Sequence, residues 1–219
     1  MSKETLLIIS QLPGYFLLAL VVIVTIKWRQ RPSYIKMLGI FGGVSLGTLI
    51  LQFVFILWIH VPRGNNIVYN WYILFEVVCL LLIFYAISVT KRTRIILLIS
   101  SLLFSFAWLA DVSVHGFKEI NSFARAFGSI VLIGASISYF YQLMRDLPTE
   151  RIYKFPMFWF VTGVLVYNSG AFIFFVLLEY LIKVLNNDLV YYWTFQTFLR
   201  AIFNALLTVS VWQDLRNRR

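Results

Sequence analysis

Charged residues are scarce in this sequence. Asp, Glu, Lys and Arg make up 13% of the 219 residues, against roughly 25% in a soluble domain. Hydrophobic residues reach 61%, and they are concentrated in long uninterrupted blocks. This distribution excludes an ordinary soluble domain and predicts an integral membrane protein.

Residues that commonly carry chemistry are also few. The single cysteine, Cys79, lies in an apolar block and excludes an internal disulfide and a cysteine-based metal cluster. Two histidines, His60 and His115, occur without HExxH or Cys–His spacing. The chain has no GxSxG, no buried Ser–His–Asp set and no lysine within a span for a retinal-type linkage. We therefore predict no metal, no cofactor and no enzymatic activity.

Acidic residues are the rarer charge, with 9 Asp and Glu against 19 Lys and Arg. The net charge of +10 first suggests nucleic acid, but binding would need one basic surface interleaved with exposed aromatics. The basic residues instead form short clusters between apolar blocks, the arrangement of orientation signals in membrane proteins. We expect no nucleic-acid partner, and we expect contact with membrane lipids.

Seven apolar blocks are long enough to cross about 30 Å of hydrocarbon as helices. Their unbroken apolar character excludes the alternating pattern of a membrane barrel. The sequence predicts one all-α domain over residues 1–219, a polytopic bundle of seven transmembrane helices. The predicted spans are approximately 5–27, 36–60, 67–90, 94–111, 123–144, 155–182 and 189–212.

The loops between these blocks predict the orientation. Thirteen basic residues fall on one side and five on the other, and the richer side is cytoplasmic by the positive-inside rule. The N-terminus is thus expected outside and the C-terminus in the cytoplasm, in a bacterial cytoplasmic (inner) membrane. All loops are too short to fold as an effector domain, so a signal would have to pass to a separate cytoplasmic protein.

Glycines recur every fourth residue in the second span, at Gly39, Gly43 and Gly47. Such spacing lets another helix backbone approach closely. We interpret it first as packing within the bundle and second as the seam of a homo-oligomer.

Two charged residues lie well inside predicted spans, Glu76 in the third and Arg200 in the seventh. Charges there are costly, roughly 2.5–3.5 kcal/mol at a helix centre, and mark functional sites by default. Both helices run from outside to inside, which places both charges about 14–17 Å deep. We therefore expect Glu76 and Arg200 to pair.

Polar residues surround this predicted pair and extend outward from it. Gln196 and Asn204 share a face of the seventh span with Arg200, at four-residue spacing. Tyr72, Tyr167 and Asn168 add polar groups from the third and sixth spans. An outer vestibule is expected from Asp111, Arg125, Glu179, His60 and His115. Together they predict an outward-facing polar core with Glu76 and Arg200 at its base.

The later half carries two recognisable segments, Tyr139-Phe140-Tyr141-Gln142-Leu143 and the run from Phe158 to Gly170 (FWFVTGVLVYNSG), followed by Asn204 and Trp212. In these residues the chain resembles small uncharacterised seven-helix integral membrane proteins of Bacteroidota-type bacteria. The resemblance spans most of the chain. It implies the fold and an inner-membrane location and brings no activity with it.

Three functions are consistent with these features. The first is a sensory or regulatory module, in which a ligand at the outward polar core acts on a cytoplasmic signalling protein. The second is a small-solute transporter or channel-like carrier that uses the depth of Glu76 and Arg200 as its site. The third is a structural assembly partner whose polar core only fixes the helices.

Overall fold

A computed structural model describes residues 3–55, 64–119, 121–145, 152–185 and 189–217, with side chains described for 11–52, 54–55, 66–119, 121–145, 152–177 and 194–217. Every regular element within these ranges is helical, which confirms the predicted all-α bundle of seven helices. The helices are α1 (Lys3–Thr25), α2 (Ser33–Val54), α3 (Gly64–Ile87), α4 (Lys91–His115), α5 (Ser122–Arg145), α6 (Pro156–Leu185) and α7 (Leu189–Asn217). Short 3₁₀ turns occupy Trp28–Gln30 and Ile152–Lys154.

Helices α2 to α7 each contain a described apolar stretch of 20 to 25 residues. At 1.5 Å per residue such a stretch covers about 30 Å or more, the thickness of the hydrocarbon layer. Helix α1 has 23 residues, of which Gln11–Thr25 form the described apolar part. The chain is therefore an integral membrane protein.

Six helices close into a ring. Contacts run from α1 to α2, α2 to α3, α3 to α5, α5 to α6, α6 to α7 and from α7 back to α1. Helix α4 lies outside the ring against α3 and α5. The ring encloses an interior that side chains of α3, α5, α6 and α7 can reach.

Apolar side chains fill the interior of the bundle and also cover its outer surface. Phe104, Phe160 and Phe203 are buried, whereas Leu102 and Phe106 of α4 are 62% and 69% exposed. Exposed apolar residues on almost every helix face are expected where the surrounding solvent is lipid. Polar groups buried inside the ring are thus the unusual feature of the molecule.

The fourth helix is longer than the predicted span of 94–111. It begins at Lys91 because the Thr90 hydroxyl caps it, accepting a hydrogen bond from the Thr93 backbone N–H at 3.2 Å. It continues to His115 because the polar side chains of its last turn bond within the helix. Hydropathy alone excluded these polar turns. The last residues of the predicted second span, 56–60, lie outside the described residues.

The two ends of the bundle are tied by different side chains. At one end, here called the basic end, Arg31 before α2 bonds Asp214 near the end of α7, and Gln213 bonds the carbonyl of Lys154 before α6. At the opposite end, Asn66 near the start of α3 bonds the carbonyl of Lys118 in the α4–α5 connection. The side of the membrane on which each end lies stays a prediction.

The glycine stripe of α2 packs only in part as predicted. A Cβ on Gly39 would lie 3.1 Å from the Trp28 ring, so this glycine does allow a close approach. Gly43 and Gly47 are exposed, and a Cβ added to either would meet no described atom of another helix within 4 Å, so neither glycine packs closely within the bundle. Four residues turn a helix about 40° past one revolution, and each later glycine rotates away from α1. Gly42 packs there instead, against Leu20.

Candidate functional site

Helix α3 carries a carboxylate into the interior of the ring. Glu76 is fully buried and lies about 18 Å along the helix from Gly64. Its Oε2 accepts a hydrogen bond from Arg125 Nη1 at 2.6 Å and a second from Arg200 Nη2 at 3.4 Å. The predicted pairing of Glu76 with Arg200 is confirmed, but the nearer partner is Arg125.

The position of Arg125 near the start of the fifth span predicted that it lies in an outer vestibule. The structure places it deeper. Its side chain is almost completely buried in the ring. The reason is that α5 begins deep: the backbone N–H of Asn121 lies 3.5 Å from Oδ1 of Asn70, already well inside α3. Hydropathy does not mark this depth, because a recessed helix has the same composition as one that begins at the membrane surface.

The Tyr167 hydroxyl of α6 accepts a hydrogen bond from each of the two arginines. It accepts from Arg125 Nη2 at 2.7 Å and from Arg200 Nη2 at 2.5 Å, and Gln196 Nε2 lies 3.4 Å away. We call Glu76, Arg125, Tyr167 and Arg200 the charge cluster. It joins one side chain from each of α3, α5, α6 and α7.

Aromatic rings lie beside both guanidinium groups. Arg125 and Arg200 lie 5.2 and 5.4 Å from the centre of the Tyr167 ring, and Arg200 lies 5.0 Å from that of Tyr72. Such cation–π contacts favour a cation in a water-poor site. The Tyr72 hydroxyl is within 3.0 Å of Ser45 Oγ on α2. The sequence-predicted residues Tyr72, Tyr167 and Gln196 are therefore brought together with Glu76 and Arg200.

The charge cluster is not electrically balanced. Its two guanidinium groups face one carboxylate, so its described side chains carry one surplus positive charge. Three buried polar atoms in or beside it have no hydrogen-bond partner among the described residues: Oε1 of Glu76, Nε of Arg125 and Oε1 of Gln196. The Arg200 side chain is 17% exposed, whereas those of Glu76 and Arg125 are at most 1% exposed. Arg200 is thus the least buried of the three charged groups in the cluster.

Two predicted core residues are bonded elsewhere. Asn204 Nδ2 donates to the carbonyl of Pro13 on α1 at 3.1 Å, and Asn168 Nδ2 donates to the carbonyl of Val164 in its own helix at 2.8 Å. The four-residue spacing from Gln196 to Asn204 drifts about 40° per step, so the stripe faces the cluster at one end and α1 at the other. Thr208 continues this second contact by bonding the Phe16 carbonyl.

Two members of the predicted outer vestibule, Asp111 and His115, lie together at a helix cap. Asp111 Oδ2 accepts the backbone N–H of Ala124 at 2.7 Å, and its Oδ1 lies 2.8 Å from His115 Nδ1. A carboxylate that accepts a first-turn N–H stabilises a helix N-terminus. Asp111 and His115 therefore lie together, but Asp111 holds the start of α5. His60 and the side chain of Glu179 lie outside the described residues.

A second buried ion pair was not predicted from the sequence. Arg31 is one of the thirteen basic residues of the loops, which were interpreted only as signals for the orientation of the chain in the membrane. Arg31 Nη1 lies 2.6 Å from Asp214 Oδ2, and both residues are buried. The same guanidinium donates to the carbonyls of Ile23, Ile26 and Val211. The available signal was Asp214 itself, an acidic residue beside the basic end of the last span.

The described residues contain no group of three or more His, Cys, Asp or Glu side chains that could hold a metal ion. The polar chemistry in the ring is that of guanidinium, carboxylate, phenol and amide groups.

Fold and site together define a helical integral membrane protein with a buried, positively charged centre. Comparison with protein-family models, curated proteins and solved structures gave no match. The resemblance to small seven-helix proteins of Bacteroidota-type bacteria stays a prediction, and function is argued below from the geometry.

Proposed function

We propose that this protein is a membrane-embedded sensory or regulatory module, that its ligand is a small anion, and that the charge cluster is its switch. The observation that carries the proposal is the sharing of one carboxylate by two guanidinium groups in the interior of the ring. A purely architectural pair would need only one cation for Glu76. The second cation gives the cluster affinity for a further negative charge.

Arg200 is the group expected to take the ligand. A guanidinium presents a planar set of donors that matches a carboxylate, sulfate or phosphate. Its contact with Glu76 is the long one, at 3.4 Å against 2.6 Å for Arg125. An incoming anion therefore competes with Glu76 for Arg200 and leaves the Glu76–Arg125 pair in place.

Helix α7 provides a route from the cluster to the basic end. Arg200 and Asp214 belong to the same uninterrupted helix, separated by 14 residues or about 21 Å. Asp214 is fixed to Arg31 beside α2. A movement of Arg200 on binding would thus shift α7 against α1 and α2 at the basic end. The positive-inside rule predicts that this end is cytoplasmic, and there a separate signalling protein would detect the shift.

Anion binding is tested by thermal unfolding of the purified protein in nanodiscs of neutral lipid. Sodium acetate, sulfate and phosphate are each added at constant ionic strength. We expect the unfolding temperature of the native protein to rise with at least one anion, and the rise to be lost in Arg200→Gln. A ligand at a hundred times its Kd stabilises by about 2.7 kcal/mol. Arg92→Gln is the matched control, since it removes an exposed positive charge at the start of α4.

Glu76→Gln gives the opposite expected result. It removes the competing carboxylate and leaves two buried cations, so the variant should be less stable without anion and gain more from it than the native protein. Should no anion shift the unfolding of the native protein or of Glu76→Gln, with both well folded, the anion site is refuted and the architectural alternative replaces it.

The regulatory part has a separate readout. Hydrogen exchange of backbone amides at 209–217 is expected to change when the anion binds, because these residues lie at the far end of α7. Transport is measured in parallel, as uptake of radiolabelled sulfate or phosphate by proteoliposomes. Binding with uptake and no change at the basic end would favour the small-solute carrier over the sensory module.

A further inference from the structure

A pocket of about 490 Å³ opens at the basic end, between the 3₁₀ turn Ile152–Lys154 with the start of α6 and the last turns of α7. Its described lining includes two cationic side chains, Lys154 and Arg216, and no acidic one. Three aromatic residues, Tyr153, Trp159 and Trp212, complete most of its wall. The pocket is far from the charge cluster and independent of the function proposed for it.

The walls of this pocket are held by side chain to backbone hydrogen bonds. Gln213 Nε2 and Asn217 Nδ2 both donate to the carbonyl of Lys154, at 3.4 and 3.0 Å. Trp159 Nε1 donates to the carbonyl of Tyr153 at 2.8 Å. The bonds at Lys154 use its carbonyl and leave its amine out of the framework. The pocket is therefore formed before any ligand arrives.

The charges around the pocket favour an anion. Arg216 lies 5.8 Å from the centre of the Trp212 ring, and both residues line the pocket. The nearby acidic residue of α7, Asp214, is buried and neutralised by Arg31. Lys154 and Arg216 thus present two positive charges in a described lining that contains no acidic side chain.

We propose that this pocket binds the phosphate headgroup of an anionic phospholipid. Basic pockets between membrane helices bind such headgroups, and tryptophan side chains prefer the depth at which headgroups lie. Free phosphate would use only the cationic side chains and amides. A phospholipid also uses the apolar wall, because its glycerol backbone and first acyl carbons lie against Trp159, Val209 and Trp212.

The test compares two double variants that lose the same charge. Lys154→Gln with Arg216→Gln removes both cations of the pocket. Lys91→Gln with Arg92→Gln removes two exposed cations from the start of α4, at the same end of the bundle. Each protein is placed in nanodiscs of phosphatidylcholine with 10% phosphatidylglycerol, and lipids retained after release are counted by native mass spectrometry.

We expect the pocket variant to lose phosphatidylglycerol retention about 25-fold, from about fivefold for each of the two basic side chains, and the control variant to lose much less. Both variants should keep native helical content, because none of the four substituted side chains makes a described hydrogen bond. An equal loss in both variants would show a diffuse basic surface and overturn the pocket.

Inorganic phosphate separates the two sources of the same chemistry. We expect 10 mM sodium phosphate to leave retention of phosphatidylglycerol nearly unchanged, since it cannot use the apolar wall. Full displacement of the lipid by phosphate, or a stabilisation by phosphate that is lost in the double variant of Lys154 and Arg216, would overturn the headgroup assignment in favour of a free-phosphate site. Trp212→Leu, which keeps an apolar wall without the ring, is expected to retain the lipid better than the double variant.

Discussion

Two buried ion pairs in this molecule have equally short N–O distances but differ in how fully their other polar atoms are hydrogen-bonded. Arg31 and Arg125 each place Nη1 at 2.6 Å from a carboxylate oxygen. Arg31 then bonds three backbone carbonyls, those of Ile23, Ile26 and Val211, so most of its donors are used. Arg125 leaves its Nε without a described partner, and Glu76 must serve Arg200 as well.

This difference separates a pair that joins helices from a cluster that can respond. The Arg31–Asp214 pair places one cation against one anion at 2.6 Å and ties α7 to the turn between α1 and α2. The charge cluster has one cation too many and buried polar atoms without described partners. Buried polar groups that are only partly satisfied are costly, and sites that retain them are candidates for function.

The largest effect is expected from breaking the balanced pair on one side. Arg31→Leu should lower the free energy of unfolding by about 3–5 kcal/mol, because Asp214 is left buried without its cation. Arg31→Leu with Asp214→Leu should be less destabilised, since no buried charge remains and only the carbonyl bonds are lost. Reversible unfolding in mixed detergent micelles measures both. A double variant no more stable than the single one would contradict this account.

A smaller effect should distinguish the two arginines of the charge cluster. Arg125→Gln is expected to cost about 2–3 kcal/mol, because it removes the short bond to Glu76 from a fully buried site. Arg200→Gln should cost about 1 kcal/mol or less, since it removes the surplus cation and leaves a balanced pair. The same unfolding measurement applies, in buffer free of multivalent anions. Equal losses would mean that the two cations share Glu76 equally, against the distances observed.

Exchanging arginine for lysine keeps the charge and removes the planar donor set, and at Arg200 this exchange gives the smallest expected effect. Arg31→Lys should cost about 2 kcal/mol, because an ammonium cannot reach Asp214 and three carbonyls together. Arg200→Lys should cost about 0.5 kcal/mol, since only Nη2 of Arg200 makes described hydrogen bonds. Comparing the two variants by unfolding cancels the common effect of the substitution. A larger loss at Arg200 would reverse the proposed roles.

The sequence alone was enough to predict the helices and the meeting of Glu76 with Arg200. Long apolar blocks leave the backbone no alternative to a helix in lipid, and counting residues from the start of two parallel spans gives matching depths. Both inferences depend only on length along one helix. The ends of α4 were less predictable, because Thr90 and His115 extend it through side-chain bonds that hydropathy ignores.

Arg125, the cation of the charge cluster that lies nearer to Glu76, could not be predicted in this way. The depth of Arg125 depends on how far α5 is set into the bundle, which Asn70 and Asp111 determine from two other helices. The rotation of α7 similarly decides that Gln196 faces the cluster while Asn204 faces α1. Such relations between helices are properties of packing, and no periodicity in one segment contains them.

The closure of the ring through α1 and α7 has a consequence for biogenesis. Glu76 enters the bilayer 49 residues before Arg125 and 124 residues before Arg200, so a ribosome-bound chain holds an acidic side chain in the insertion machinery before either cation follows. The α1 surface that receives Asn204 and Thr208 also lacks these two contacts until α7 has been inserted. The ring therefore cannot close before α7 has been synthesised, and a chain shortened before α7 is expected to be a substrate for membrane proteases.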